Sequence, residues 1–212
     1  MKYQKLKLEF KYGPKGRFYR VVLVKKGLNL RTLGCYLVEA LGGELEHMFL
    51  YKDKNNHYED ETWLDDSFFM YTRIKEFDYT KYTLDDLSQH FDFCYDTGDG
   101  YDFICTRYKT EVEMDDEEFS DRPLIILNGK GQGIREDNIG TLYDLFNGKI
   151  DPNLNHEIEE EGIYFPWNHQ INKFGDFDEP LDIEALNESL VYCDPFVEGY
   201  KYWTSVTNHL LK

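Results

Sequence analysis

Cysteine is scarce in this chain. Its 212 residues include four cysteines, Cys35, Cys94, Cys105 and Cys193, and no two of them form a CxxC pair. That spacing matches no zinc-finger pattern, and so sparse a thiol set excludes a disulfide scaffold and points to a reducing compartment. Long apolar runs are missing as well. No stretch approaches the roughly 20 apolar residues that cross a bilayer. The residues after Lys2 also lack the apolar centre of a secretory signal, so the expected location is the cytoplasm. Positive charge is in short supply. The 24 Lys and Arg face 41 Asp and Glu, a net charge of −17. Such a chain repels phosphate backbones and anionic lipid, so neither direct nucleic-acid binding nor a membrane partner is expected. Two catalytic signatures are absent too. Gly129-Lys130-Gly131-Gln132-Gly133 lacks the Gly-Lys-Ser/Thr ending of a phosphate loop, and no G-x-S-x-G elbow occurs.

Aromatic side chains are abundant. Aromatics make up 17% and hydrophobic residues 41% of the chain, enough for one core in one domain. The densest stretch is Phe91 to Arg107, FDFCYDTGDGYDFICTR. It alternates apolar and polar residues on either side of Asp99-Gly100, a pair suited to the centre of a type I′ hairpin turn. Centring the reversal there sets Cys94 opposite Cys105, Asp96 opposite Phe103, and Asp92 opposite Arg107 as a cross-strand ion pair. Phe91, Phe93, Tyr95 and Ile104 then form the core face. Asp92, Cys94, Asp96, Tyr101, Phe103, Cys105 and Arg107 point outward. A one-residue slip would exchange the two faces.

The rest of the chain arranges itself around that hairpin. Leu6, Leu8, Phe10 and Tyr12 alternate with Lys5, Lys7, Glu9 and Lys11, the pattern of a half-buried strand. A turn at Gly13-Pro14-Lys15-Gly16 leads to a second strand over 17–25. Leu30, Leu33, Leu37, Ala40 and Leu41 have helical spacing behind Asn29 as N-cap, with Gly42-Gly43 as the stop. A strand over His47–Lys52, a polar loop over 53–66 and a capped turn at Thr83 follow. Beyond the hairpin, 111–121 reads as an acidic loop and Leu124–Leu127 as a strand. Asn128–Asp137 is Gly-rich, and a short helix runs through Leu142, Tyr143 and Phe146. Residues 148–181 are irregular, anchored by Pro166-Trp167 and Phe174. A helix runs through Ile183, Leu186 and Leu190 behind Asp182. The expected fold is α+β, a mainly antiparallel sheet of hairpins with packed helices in a single domain over 1–190, with 191–212 as a docked C-terminal segment.

Several of these stretches resemble a known family when taken together. Phe18-Tyr19-Arg20-Val21, the Leu30–Leu41 helix, Glu46 to Tyr51, Tyr95 to Tyr101, Gly131 to Gly140 with Glu136-Asp137, and Phe177 to Leu190 with Asn187 occur in the order of the motifs of the plasmid pRi ORF-three-like family. The resemblance covers residues 3–190. It implies an α+β fold with a mainly antiparallel sheet and carries no settled biochemical activity. The chain departs from the pattern at Phe103, where many members have a histidine.

The candidate functional groups are Asp96, Asp99 and Asp102 with His47, Glu136 and Asp137. Clustered carboxylates and an imidazole could hold a divalent cation, or act as base and acid in a hydrolysis. They do not form an EF-hand, because Gly98 and Gly100 stand where alternating oxygen ligands belong. The competing reading has Asp96 and Asp99 bonding turn amides, Asp102 facing water, and Glu136-Asp137 capping a helix. Arg20 interrupts an apolar strand and reads either as the ion-pair partner of a hairpin aspartate or as a contact for an anionic ligand. No motif calls for a cofactor. The expected function is a non-catalytic acidic module that binds an unidentified protein partner. The alternatives are a metal-dependent hydrolase using the carboxylate/His cluster, and an acidic protein that mimics DNA.

Overall fold

The computed structural model describes residues 1–60, 74–114, 122–131, 133–134, 139–147 and 180–193. The expectations placed on Trp167, Phe174, Glu136, Asp137 and the tail beyond Cys193 lie outside those residues. The described chain forms one eight-stranded mixed sheet and three helices. The strands are β1 (Lys2–Phe10), β2 (Tyr19–Lys25), β3 (Phe49–Asp53), β4 (Asn56–Glu59), β5 (Lys75–Asp78), β6 (His90–Tyr95), β7 (Tyr101–Glu113) and β8 (Leu124–Lys130). They lie in the order β5-β4-β3-β6-β7-β1-β2-β8. Every neighbouring pair is antiparallel except β4 and β5, which run parallel. The fold is therefore dominated by its sheet, more so than an even α+β mixture.

The alternation of β1 decides which face is covered. Leu6, Leu8 and Phe10 are buried, and Lys5, Lys7 and Glu9 are partly exposed between them. Helix α1 (Leu30–Ala40) lies on the buried side and packs Leu30, Leu33 and Leu37 into the main core. Asn29 starts this helix by accepting the Thr32 amide at 2.8 Å. Helix α2 (Ile139–Phe146) joins the same side through Leu142, and its Phe146 ring stacks on Phe10 at 6.0 Å. Aromatic rings meet within the core of this face, with Phe10, Phe18 and Phe103 in mutual ring contact at 5.4 to 5.9 Å. A smaller cluster of Tyr3, Leu23 and Ile125 lies apart from it, flanked by Val112 and Met114.

Helix α3 (Ile183–Tyr192) closes the free edge of β8. The Asn187 side-chain amide does this directly. Its Oδ1 accepts the Ile126 amide at 2.7 Å and its Nδ2 donates to the Ile126 carbonyl at 2.9 Å. One side chain thus gives the Ile126 backbone the pairing that a neighbouring strand would. Replacing Asn187 by Ala removes both bonds and leaves a half-covered amide and carbonyl. The expected loss is about 2 kcal/mol in urea unfolding, with the Ile126 amide becoming the first of its strand to lose hydrogen-exchange protection.

Several segments extend beyond their sequence-based bounds. The expected polar loop over 53–66 contains β4, which pairs with β3 through Tyr51 and Tyr58. The start of the expected acidic loop is strand, because β7 continues to Glu113 and pairs with Lys2 at the end of β1. Strand β8 runs to Lys130, into the Gly-rich stretch, because Tyr19 pairs with it there. In each case a partner strand supplies pairing that local composition does not reveal.

Candidate functional site

The central hairpin turns wider than its Asp-Gly pair suggests. Phe93 faces Phe103, Cys94 faces Asp102 and Tyr95 faces Tyr101, so the reversal spans the five residues Asp96–Gly100. Asp96 sits in the left-handed region with φ 51°, Gly100 has φ 81°, and the Gly100 amide donates to the Asp96 carbonyl at 2.6 Å. Relative to the expected pairing, the β7 partner of Cys94 moves from Cys105 to Asp102, three residues away. An odd shift turns β7 over. Phe91, Phe93 and Tyr95 are buried as expected, but Tyr101, Phe103 and Cys105 are also fully buried, and Ile104 is 44% exposed. The expected Asp92–Arg107 pair is not formed. Asp92 pairs with Lys11 at 2.6 Å, and Arg107 reaches the Leu84 carbonyl and Asp85. Phe103, expected opposite Asp96, packs against Phe18 instead.

Each hairpin aspartate has a distinct structural role. Asp96 is buried, and its Oδ1 accepts the Gly98 and Asp99 amides, each at 3.2 Å. The same oxygen lies 3.7 Å from His47 Nδ1, while Oδ2 is buried without a hydrogen-bond partner. His47 holds its place through its own amide, which donates to the Tyr95 hydroxyl at 3.4 Å, and through an edge-on ring contact with Tyr95. Asp99 accepts the Ile139 amide at 3.0 Å and so caps α2 from 40 residues away. Asp102 lies on the opposite face of the sheet from the helices. It does not face open water, where the competing reading puts it. It is buried, and its carboxylate accepts Tyr12 Oη at 2.8 Å and Lys52 Nζ at 3.1 Å.

Burial alone would raise the Asp102 carboxyl. Bonds from Cys94, Tyr12 and Lys52 outweigh it and hold the group below its ordinary range. Burial pushes the neighbouring Cys94 thiol up to about 12, so it is no nucleophile at neutral pH. The stabilisation from Asp102 is present above its ordinary value near pH 4 and is lost as pH falls through its lower folded value. Asp102→Asn should therefore lose about 1–2 kcal/mol at pH 7. Its deficit against the native chain should shrink below about pH 4, measured by urea midpoints across pH.

Arg20 lies away from the hairpin carboxylates. It is 1% exposed, its Nε donates to the Ala40 carbonyl at 2.8 Å, and its Nη1 donates to the Tyr19 and Lys130 carbonyls at 2.9 Å each. The expected ion pair with a hairpin aspartate is replaced by these main-chain contacts at the C-terminal end of α1. Among the proposed site residues, the structure brings together only His47 and Asp96. Asp99 shares the turn with Asp96, but its carboxylate goes to α2; Asp102 and Arg20 sit elsewhere, and Glu136 and Asp137 are outside the described residues. Among the described residues no three His, Cys, Asp or Glu side chains form a group able to hold a metal ion.

Among the described residues two further surfaces lie outside the hairpin turn. The first is a small cleft, partly open to solvent. It lies at the end of the sheet where β3 enters and β4 leaves. Arg31 and Cys35 of α1, Leu45, His47 to Leu50, Glu59, Asp60 and Tyr79 line it. The sequence reading identified His47 but not the cleft, because its wall comes from segments far apart in the chain. The second surface is the outer face of the sheet. Register places Lys52, Asp92, Ile104, Glu9 and Tyr19 in one row across five strands. Lys5 lies 5.1 Å from the Tyr108 ring and Lys7 5.2 Å from the Tyr19 ring. Residues 1–26 hold nine Lys or Arg against one Glu, in a chain whose net charge is −17.

A family model described as plasmid pRiA4b ORF-3-like protein matches residues 3–182. The chain belongs to that family. The matched span runs from β1 to the N-cap of α3, while the resemblance read from the sequence extends to residue 190. No curated protein matches this family member. A crystal structure of a protein of unknown function from Methanosarcina mazei Go1 resembles it with a TM-score of 0.55 at 17% identity. The match covers 76% of this chain and 89% of that one. That likeness concerns the fold. Among the described residues no helix is long and apolar enough to cross a membrane.

Proposed function

We propose that this family member is a non-catalytic binding module, and that the outer face of its sheet is the surface a protein partner contacts. The observation that carries this reading is how the hairpin's carboxylates are used. Asp99 caps a helix, Asp102 is fixed between Tyr12 and Lys52, and Asp96 holds its own loop. Outside them, the row through Ile104 offers an exposed apolar side chain flanked by Glu9 and Asp92, with Tyr12 and Tyr108 also exposed nearby. Mixed charge around an apolar centre suits a protein partner. It does not supply the continuous carboxylate array that a phosphate mimic needs.

The test is affinity capture of the native chain beside Ile104→Lys. Ile104 is exposed, so the variant keeps the fold while placing a charge at the centre of the face. The expected result is a specific co-purifying protein that Ile104→Lys loses. Recovery of nothing specific, or of the same protein by both, counts against the reading. Metal-dependent hydrolysis is the rival. It requires a stoichiometric ion and a melting temperature that rises with Mg²⁺, Mn²⁺, Ca²⁺ or Zn²⁺, and the binding reading predicts neither.

A further inference from the structure

Strand β7 outruns one of its two neighbours. It extends from Tyr101 to Glu113, but β6 pairs with it only over Tyr101–Thr106. On the other side β1 keeps pairing as far as Glu113. The Arg107 amide donates to the Gln89 carbonyl at 2.9 Å, and beyond it no described residue bonds the main chain of β7 on the β6 side. Backbone groups alternate sides along a strand. The Met114 amide donates to the Met1 carbonyl at 3.0 Å and the Tyr108 carbonyl accepts the Gln4 side chain, so the even positions face β1. The amides and carbonyls of Lys109, Glu111 and Glu113 therefore face the open edge. Tyr108 is 39% exposed, and Lys109, Thr110, Glu111 and Glu113 are exposed beside it. An edge of this kind is a template for another strand.

We infer that the open edge of β7 pairs antiparallel with the same edge of a second copy of this chain, about a twofold axis at Thr110. The order of charges along the edge selects both the occupant and the register. Centred on Thr110, Lys109 lies opposite Glu111 of the second copy, Tyr108 opposite Val112 of the second copy, and Thr110 opposite itself. Opposite charges, an aromatic with a β-branched residue, and two threonines are each favourable cross-strand pairs. Centred on Glu111 the same edge would set two carboxylates against each other, and centred on Lys109 two ammoniums. The Thr110 register also joins the main chains, because Lys109 and Glu111 both turn their amides and carbonyls outward and so form a hydrogen-bonded pair. Lys109 has no ion-pair partner among the described residues. Glu111 is bonded by Lys26 at 2.6 Å and approached by Lys2 at 3.7 Å, and its carboxylate keeps acceptor sites for a third donor. A twofold contact closes on itself, so the product is a dimer and not a fibre. This edge is separate from the outer face of the sheet, so the inference stands whether or not a protein binds there.

Sedimentation velocity of the full chain over a concentration series should show a dimer. Lys109→Pro should abolish it. The Lys109 amide points away from β1, so the substitution costs the monomer no ladder bond, yet it takes a donor from the paired edge. Lys109→Glu and Glu111→Lys should each weaken the dimer roughly tenfold or more, because each sets like charges opposite one another. Mixed together, the two charge variants should pair again, since in the mixed dimer each side chain at position 109 meets the opposite charge at position 111. These substitutions fall on exposed side chains, and urea midpoints close to the native value show that each variant is folded. The inference is overturned by a native chain that sediments as a monomer at every concentration, which would leave the charges only the task of blunting the edge. It is equally overturned by a dimer that Lys109→Pro leaves intact, or by charge variants that stay apart when mixed.

Discussion

Replacing Arg20 by Leu should lower the unfolding free energy by about 3 kcal/mol or more. The guanidinium is 1% exposed and donates to three carbonyls, one on α1, one on β2 and one on β8. Leucine leaves those three oxygens without the donor and removes the pin that holds the end of α1 to the sheet. Burial pulls the Arg20 pKa down only to about 9, so the group is charged at neutral pH and its bonds are charge-assisted. The positive charge also opposes the dipole at the end of the helix. Arg20→Lys should recover little, because a single ammonium cannot span carbonyls on three elements. The space around Arg20 is equally specific. A Cβ on Gly129 would lie 2.8 Å from Arg20 Cδ. Urea unfolding of both variants is the measurement. A loss within about 0.5 kcal/mol would assign Arg20 to ligand contact and not to structure.

Gly34→Ala should destabilise the protein by about 2 kcal/mol, although it improves the helix. Alanine in the middle of an exposed helix would be worth up to about 1 kcal/mol over glycine. Here a Cβ would stand 2.0 Å from Phe49 Cε2 and 2.5 Å from Cδ2 and Cζ of the same ring. Tyr51, Tyr79 and Phe93 pack against the ring at 6.4, 5.4 and 5.8 Å, so any retreat disturbs an aromatic contact. Packing therefore decides the sign against propensity. Adding Phe49→Leu to Gly34→Ala should recover part of the loss, since the smaller side chain clears the new methyl. A single variant that melts higher than the native chain would show that α1 does not approach β3 so closely.

The sequence made some of this fold legible and concealed the rest, for identifiable reasons. The clean alternation of Leu6, Leu8 and Phe10 with lysines gave β1 and its buried face. Asn29 and Asp182 were readable as caps because the bond each makes is local, to residues 32 and 185. The hairpin register was misread because Asp99-Gly100 satisfies the local rule for a two-residue turn. In the fold Asp99 serves a helix that starts at residue 139, and Asp96 takes the left-handed position. A signal was available. Phe91, Phe93 and Tyr95 on one strand and Tyr101 and Phe103 on the other can share a face only if the loop between them has an odd number of residues. Giving that aromatic set more weight than Ile104 would have found the register. The pairing of His47 with Asp96 was within reach of the sequence. The cleft was not, since its lining comes from Arg31 through Tyr79 and depends on how α1 crosses the sheet.

Amine-reactive labelling of lysines, read by mass spectrometry on the purified chain and on the chain within cells, tests the binding account most directly. Lys5, Lys7 and Lys11 should label less in cells than in isolation, while Lys54 and Lys75, exposed on the β3–β4 turn and on β5, should label equally in both. Equal labelling of all five lysines in both settings would contradict a partner on the outer face of the sheet.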